Sequence, residues 1–181
     1  TKISVVPEHF NKYLIKNSHN EDLNLKFDTK FNFLLMGQLT GNNSDNDRKN
    51  TANAISWFCK AFSGNKNVGL IVKTNLGRCT LRDREATRKA LRGIIRASRT
   101  GKYPRVEMIH GNLTSQEISS LFKHKSVKCF ISATRGEGYG LPLVDAAATG
   151  VPIITTPWSG HMEFLDKELI TCLDYELKNI H

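Results

Sequence analysis

The chain has 181 residues, a length for one domain, and its 39% hydrophobic and 24% charged content is that of a soluble globular protein with enough apolar surface for a core. No apolar run reaches the length of a bilayer span, and no basic segment with an apolar signal core opens the chain, so the expectation is a cytoplasmic protein. A net charge of +9 favours anionic partners: a nucleotide, an acidic membrane surface or nucleic acid.

Residues 1–30 read as a leader or linker, with a short apolar run at Ile3–Pro7 followed by polar, irregular sequence. Phe31–Gly37 is a buried strand that ends at a glycine turn. Gln38–Asp47 is a loop rich in Gly, Asn, Ser and Asp. Arg48-Lys49-Asn50 then opens a helical pattern in which Ala54, Ile55, Phe58 and Phe62 recur at helix spacing before Gly64. Basic residues at a helix start oppose the dipole, which favours an anion-binding role for Arg48 and Lys49 over a solvated face. Val68–Thr74 is a second strand, with Lys73 near its C-terminal end. Ligands of open parallel sheets bind beyond that end, so Lys73 is either a contact to phosphate or an edge lysine reaching water.

The segment Arg78–Arg105 is strongly basic. Leu91, Ile94, Ile95 and Ser98 follow helix spacing, while Arg82, Arg84, Arg88, Lys89, Arg92, Arg96 and Arg99 fill the remaining positions. The plain reading is a solvated cationic face; the functional one is contact with an acidic membrane leaflet. Val106–His110 is a third strand, and Thr114 with Glu117 forms a capping box ahead of Ile118, Leu121 and Phe122. Among the cysteines, Cys59 and Cys129 sit inside apolar patterns and read as buried free thiols, which suits a reducing compartment. The histidines lack H-x-H or H-x3-H spacing, so no metal site is expected. Asn42-Asn43-Ser44 and Asn112-Leu113-Thr114 match the N-glycosylation pattern, and chance explains both in an Asn-rich chain.

The most informative stretch runs from Thr134 to Gly160. The strand Val127–Ala133 leads into a loop with Gly136, Gly138 and Gly140, then Leu141-Pro142, a helix Leu143–Thr149 stopped by Gly150, and a strand Val151–Thr155. A helix N-terminus after a glycine-rich turn offers free N–H groups to phosphate. Glu137 just before this helix, and Asp145 in its first turn, flank that anion site. Carboxylates repel phosphate, so their expected role is to accept hydrogen bonds from ribose or sugar hydroxyls. Trp158–Leu165 reads as a loop and short helix, and Glu168–Leu173 as a last strand.

Glu137-Gly138-Tyr139-Gly140-Leu141-Pro142, Asp145 eight positions after Glu137, and Ala148-Thr149-Gly150-Val151-Pro152-Ile153-Ile154 together resemble the E-x7-E signature of retaining GT-B glycosyltransferases, in particular family 4. Asp145 stands where the family usually has Glu. Pro157–His161 and Glu163–Leu165 look like the family's following segment. The resemblance covers about Phe31 to Leu173. It implies an α/β Rossmann-like parallel sheet with helices on both faces, the C-terminal donor-binding half of a GT-B fold, over residues 31–181. The N-terminal acceptor-binding half is then missing, and residues 1–30 become the connection between halves.

The resemblance also implies the roles. Glu137 is the catalytic candidate that positions the donor sugar. The N–H groups of Gly138, Tyr139, Gly140 and Leu141 hold the diphosphate of a nucleotide sugar, and Asp145 holds the ribose. The family's arginine position holds Gln38 here, Lys49 matches its lysine, and Arg48 is a candidate substitute for the missing arginine. Lys73 is a second phosphate contact, and Ile109 and His110 border the base. Neither a cofactor nor a divalent metal is expected, sugar transfer proceeds with retention, and the isolated chain binds donor but turns over little. Two alternatives stay open: a nucleotide-sugar 2-epimerase, and a non-catalytic basic module binding nucleotides or nucleic acid, although no nucleic-acid motif is recognised.

Overall fold

A computed structural model describes residues 4, 6, 8, 9, 11–14, 23–39 and 47–177. The run Ile3–Pro7 and the tripeptide Asn42-Asn43-Ser44 lie wholly or partly outside these residues. The described chain alternates strand and helix: β1 Phe31–Met36, α1 Thr51–Ala61, β2 Val68–Thr74, α2 Leu81–Ser98, β3 Arg105–His110, α3 Ser115–Phe122, β4 Val127–Ser132, α4 Leu141–Thr149, β5 Ile153–Thr155 and β6 Thr171–Cys172. All pairings are parallel, and the strand order is β3-β2-β1-β4-β5-β6. This is a doubly wound Rossmann-like sheet, as the alternation of apolar runs with helical patterns requires.

Side chains alternate across the pleat, so each central strand feeds two cores. Leu34 and Ile71 join Leu121, Phe122, Phe130, Leu143 and Ala146 beneath α3 and α4. Their neighbours Leu35, Leu70 and Val72 face the other way, against Ala54, Ile55, Phe58 and Leu91 of α1 and α2. Leu14 is also buried in the first core, and the Tyr13 carbonyl accepts from Ser119 Oγ and Lys123 Nζ, each at 2.9 Å. Cys59 and Cys129 are buried free thiols. Among the described residues no helix is long and apolar enough to cross a membrane.

Several element ends differ from the sequence reading, each for a local reason. α1 begins at Thr51, not at Arg48: Asn50 adopts a left-handed conformation (φ 54°), and Asp47 Oδ2 accepts from Thr51 N at 2.7 Å. Arg48 and Lys49 therefore stand in the turn ahead of the helix. α4 begins at Leu141 because Gly140 (φ 93°) is its N-cap and Pro142 fits the first turn. Asp145 thus falls on the second turn, beyond the first-turn position expected of it. β5 and β6 are shorter than their apolar runs, and a short 3-10 turn, Gly160–Glu163, replaces the helix expected after Trp158. Gly150 caps α4 at φ 72°, and Thr114 and Glu117 form the expected capping box.

Candidate functional site

Strand order reverses between β1 and β4, and at that point their C-terminal loops diverge to leave a crevice. A cleft of about 550 Å³ opens there, lined by Gly37, Gln38, Arg48, Lys49, Lys73, Asn75, Ile118 and Pro142 among others. The β1–α1 side is tight at its base: a Cβ on Gly37 would lie 2.3 Å from Thr51 Oγ1, so only glycine lets the helix start this close to the strand end.

The two loops flanking the crevice are sewn together. Arg135 N donates to the Arg48 carbonyl at 2.9 Å, and Thr134 Oγ1 donates to the same carbonyl at 3.2 Å. Side chains reinforce the seam. Arg48 Nη1 donates to Glu137 Oε2 at 2.8 Å and to the Gly136 carbonyl at 2.5 Å, while Lys49 Nζ donates to Glu137 Oε1 at 2.5 Å. The Glu137 side chain is 6% exposed, Lys49 28% and Arg48 58%, so the lysine pair is the better shielded of the two. Burial pushes the Glu137 carboxyl up, but hydrogen bonds from Lys49 and Arg48, the Lys49 charge and Thr134 outweigh it and hold the group below its ordinary range.

The backbone of Glu137 is braced from beneath. Ser159 Oγ donates to the Glu137 carbonyl at 2.8 Å and accepts from Glu137 N–H at 3.0 Å, and Gly160 N donates to the same carbonyl at 3.1 Å. Ser159 holds φ 89°, a strained value for a residue with a Cβ. A Cβ on Gly160 would meet the Gly138 carbonyl oxygen at 1.9 Å, so the chain passes here with no room for a side chain. His161, fully buried, fixes the segment through Nε2 and the Thr156 carbonyl at 2.7 Å.

Above this brace, the N–H groups of Gly138, Tyr139, Gly140 and Leu141 donate to no acceptor among the described residues, whereas Leu143 and Val144 already donate to the Gly140 carbonyl. Four consecutive free donors at a helix N-terminus make a cradle chemically suited to an anion. The Tyr139 ring rests on Phe164, with centroids 5.1 Å apart. Asp145 lies three residues after cleft-lining Pro142, on the same face of α4. Burial pushes its carboxyl up to about 6, and no hydrogen bond or ion pair reaches it among the described residues.

On the other side, Lys73 Nζ donates to the Gly111 carbonyl at 2.7 Å, which leaves two of its donors for the cleft. Burial lowers its ammonium pKa, against a small opposing effect of Cys79. Gln38 Nε2 donates to Asn75 Oδ1 at 2.7 Å, and Asn75 Nδ2 to Asn112 Oδ1 at 3.3 Å, an amide chain across the ends of β1, β2 and β3. Ile109 packs against the first core, and His110 has a buried Nε2 without a partner; neither lines the cleft. The structure thus brings Gln38, Arg48, Lys49 and Lys73 to one crevice, joins Glu137 to it through Arg48 and Lys49, and sets the cradle next to it through Pro142; Ile109, His110 and Asp145 are not in its lining. Sequence reasoning did not find Ser159, Thr134, Asn75 or Asn112. Their roles depend on contacts such as that between Ser159 and Glu137, 22 residues apart, which no local pattern signals.

Comparison with known proteins bears on the fold. Residues 97–170 match the family model described as glycosyl transferases group 1. The C-terminal domain of a glycosyl transferase group 1 family protein (LpcC) from Francisella tularensis has the same fold. The two are 18% identical with a TM-score of 0.63, over 92% of this chain and 80% of that one. HepE from Anabaena, solved in complex with UDP and glucose, is 16% identical with a TM-score of 0.55, over 77% of this chain and 32% of its own. A UDP-forming trehalose-phosphate synthase from Burkholderia xenovorans is 12% identical with a TM-score of 0.53, over 78% of this chain and 33% of its own. The chain thus spans about a third of these last two proteins. No curated protein sequence matches it. The fold is that of a GT-B glycosyltransferase C-terminal domain, and the group 1 family likeness in sequence lies in residues 97–170.

Proposed function

We propose that this chain is the donor-binding domain of a retaining, family 4-like glycosyltransferase that takes a nucleotide-diphosphate sugar without a divalent metal. The observation that carries the reading is the run of four free N–H groups, Gly138 to Leu141, directly after Glu137, whose carboxylate holds Arg48 and Lys49 of the facing loop. In this reading the diphosphate sits on the cradle, with Arg48, Lys49 and Lys73 around it. Transfer breaks the bond between the sugar's anomeric carbon and the diphosphate oxygen, and an acceptor hydroxyl takes the sugar. Negative charge builds on the departing nucleoside diphosphate, where preorganised N–H groups and cations are most effective.

Glu137 has two tasks in turn. Its carboxylate first holds Arg48 and Lys49 at the crevice; a diphosphate then competes for those cations, and the released oxygens accept hydroxyls of the donor sugar. Asp145 accepts from the ribose. The acceptor comes from a second domain, and the sugar-binding complexes of HepE support a nucleotide sugar as ligand.

The test is a calorimetric titration of this chain with UDP, GDP and ADP sugars in EDTA, repeated with Asp145→Ala. Selective binding that is lost in the variant supports the donor reading and names the base. Binding that needs a divalent metal, or that Asp145→Ala leaves intact, defeats the corresponding part of it.

A further inference from the structure

The end of α2 carries a second cationic site that shares no residue with the cleft. Arg92 and Arg96 stand about one turn apart on α2, and Arg99 is its C-cap residue, in extended conformation. With Ile95 and Gly101 they line a pocket of about 390 Å³. α2 runs back from the C-terminal end of β2 to the start of β3, which places this pocket at the opposite rim of the sheet.

Arg99 distinguishes the pocket from a solvated face. Its Nε and Nη1 are buried and have no hydrogen-bond partner, whereas Arg82 and Arg84 on the same helix are exposed. A guanidinium has five donors and cannot shed its charge, so unmet buried donors on it are costly. Among the described residues no carboxylate pairs with Arg92, Arg96 or Arg99. Burial pushes up the thiol of Cys59 on α1, and the Arg99 charge opposes it, which locates that charge beside the buried thiol. Three cations therefore line one pocket, and among the described residues none of them is in an ion pair.

We infer that this pocket binds a phosphate group, with Arg99 donating from the inner wall and Arg92 and Arg96 closing from the rim. Guanidinium forks match tetrahedral oxyanions in two-bond fashion, and a phosphomonoester carries about −1.5 to −2 charges near neutral pH, more than a single carboxylate can supply. The shared chemistry fits a free phosphorylated solute and a phosphomonoester lipid headgroup alike. The inference does not rest on the donor reading of the cleft.

The test follows Arg Nε–Hε resonances of the whole chain during titration with inorganic phosphate, and separately with phosphatidylcholine vesicles with and without phosphatidic acid. Phosphate is expected to shift the Arg99 signal, and Arg99→Gln to weaken that binding about tenfold or more. Arg96→Gln, at an exposed position, does the same should Arg99→Gln fail to fold. Arg82→Gln, on the same helix but outside the pocket, leaves binding unchanged. Phosphate held in the cleft is read separately, through the Gly138–Leu141 amides, and persists in Arg96→Gln. A response to phosphatidic acid vesicles but not to inorganic phosphate assigns the same site to a lipid headgroup. An Arg99 signal that neither probe moves, or equal losses in Arg82→Gln and Arg96→Gln, overturns the inference.

Discussion

Ser159 holds Glu137 by both of its backbone polar groups: one hydroxyl accepts from the Glu137 N–H at 3.0 Å and donates to its carbonyl at 2.8 Å. Removing the hydroxyl leaves the part-buried N–H of Glu137 unpaired and its carbonyl with Gly160 N alone. Ser159→Ala is expected to cost about 1–2 kcal/mol in urea unfolding. Ser159→Gly loses the same bonds but relieves the strain of φ 89°, and so is expected to cost less than Ala. Equal losses in both variants would show that the strain is small.

Gly160 and Gly138 make a second contrast. A Cβ at Gly160 would lie 1.9 Å from a backbone oxygen, while one at Gly138 would meet nothing within 4 Å. Gly160→Ala must displace the Glu137–Gly138 segment, and it is expected to lower stability by about 3 kcal/mol or more and abolish nucleotide binding. Gly138→Ala is expected to fold normally. Thermal melts with and without UDP check both.

Asp145 sets a pH signature. Its folded pKa of about 6 lies above the ordinary 3.8, so between these values the folded state binds more protons than the unfolded. Its contribution therefore falls as pH rises from about 4 to 6 and stays unfavourable above, by about 1–3 kcal/mol. Asp145→Asn is expected to be more stable than the parent at neutral pH and to lack that decline. If Asp145 accepts from ribose, UDP affinity rises through about pH 6 in the parent and not in the variant. Denaturation and titration across this range measure the two effects separately.

Glu137 behaves in the opposite sense. Its carboxyl is held below the ordinary 4.5, so the ion pairs contribute fully above that value and are lost as pH falls beneath it. Lys49 is the more shielded partner, and Lys49→Gln is expected to cost about 2–3 kcal/mol against about 1 or less for Arg48→Gln. Unfolding of both variants at pH 7 and pH 4 decides it: the two losses shrink together at the lower pH if Glu137 is their common partner.

The sheet was legible in the sequence because its central strands are continuous apolar runs, as in Phe31–Met36 and Val68–Thr74, whose two faces are both covered. The cradle was legible because glycine, proline and a small-residue helix fall in fixed order from Gly138 to Gly150. The helix starts were less so. Asn50 and Gly140 set them by backbone conformation, which moved Arg48 and Lys49 out of α1 and placed Asp145 one turn deeper. The pairing of Glu137 with Arg48 and Lys49 spans 89 and 88 residues and leaves no trace in local spacing.

The seam between the two loops runs through the carbonyl of Arg48, which every amino acid possesses. The backbone part of the seam is therefore indifferent to the side chain, whose own bonds to Glu137 and the Gly136 carbonyl are a separate, exposed reinforcement. A substitution at position 48 loses that reinforcement and keeps the backbone bonds, so ligand preference there can drift or be engineered without renegotiating the fold.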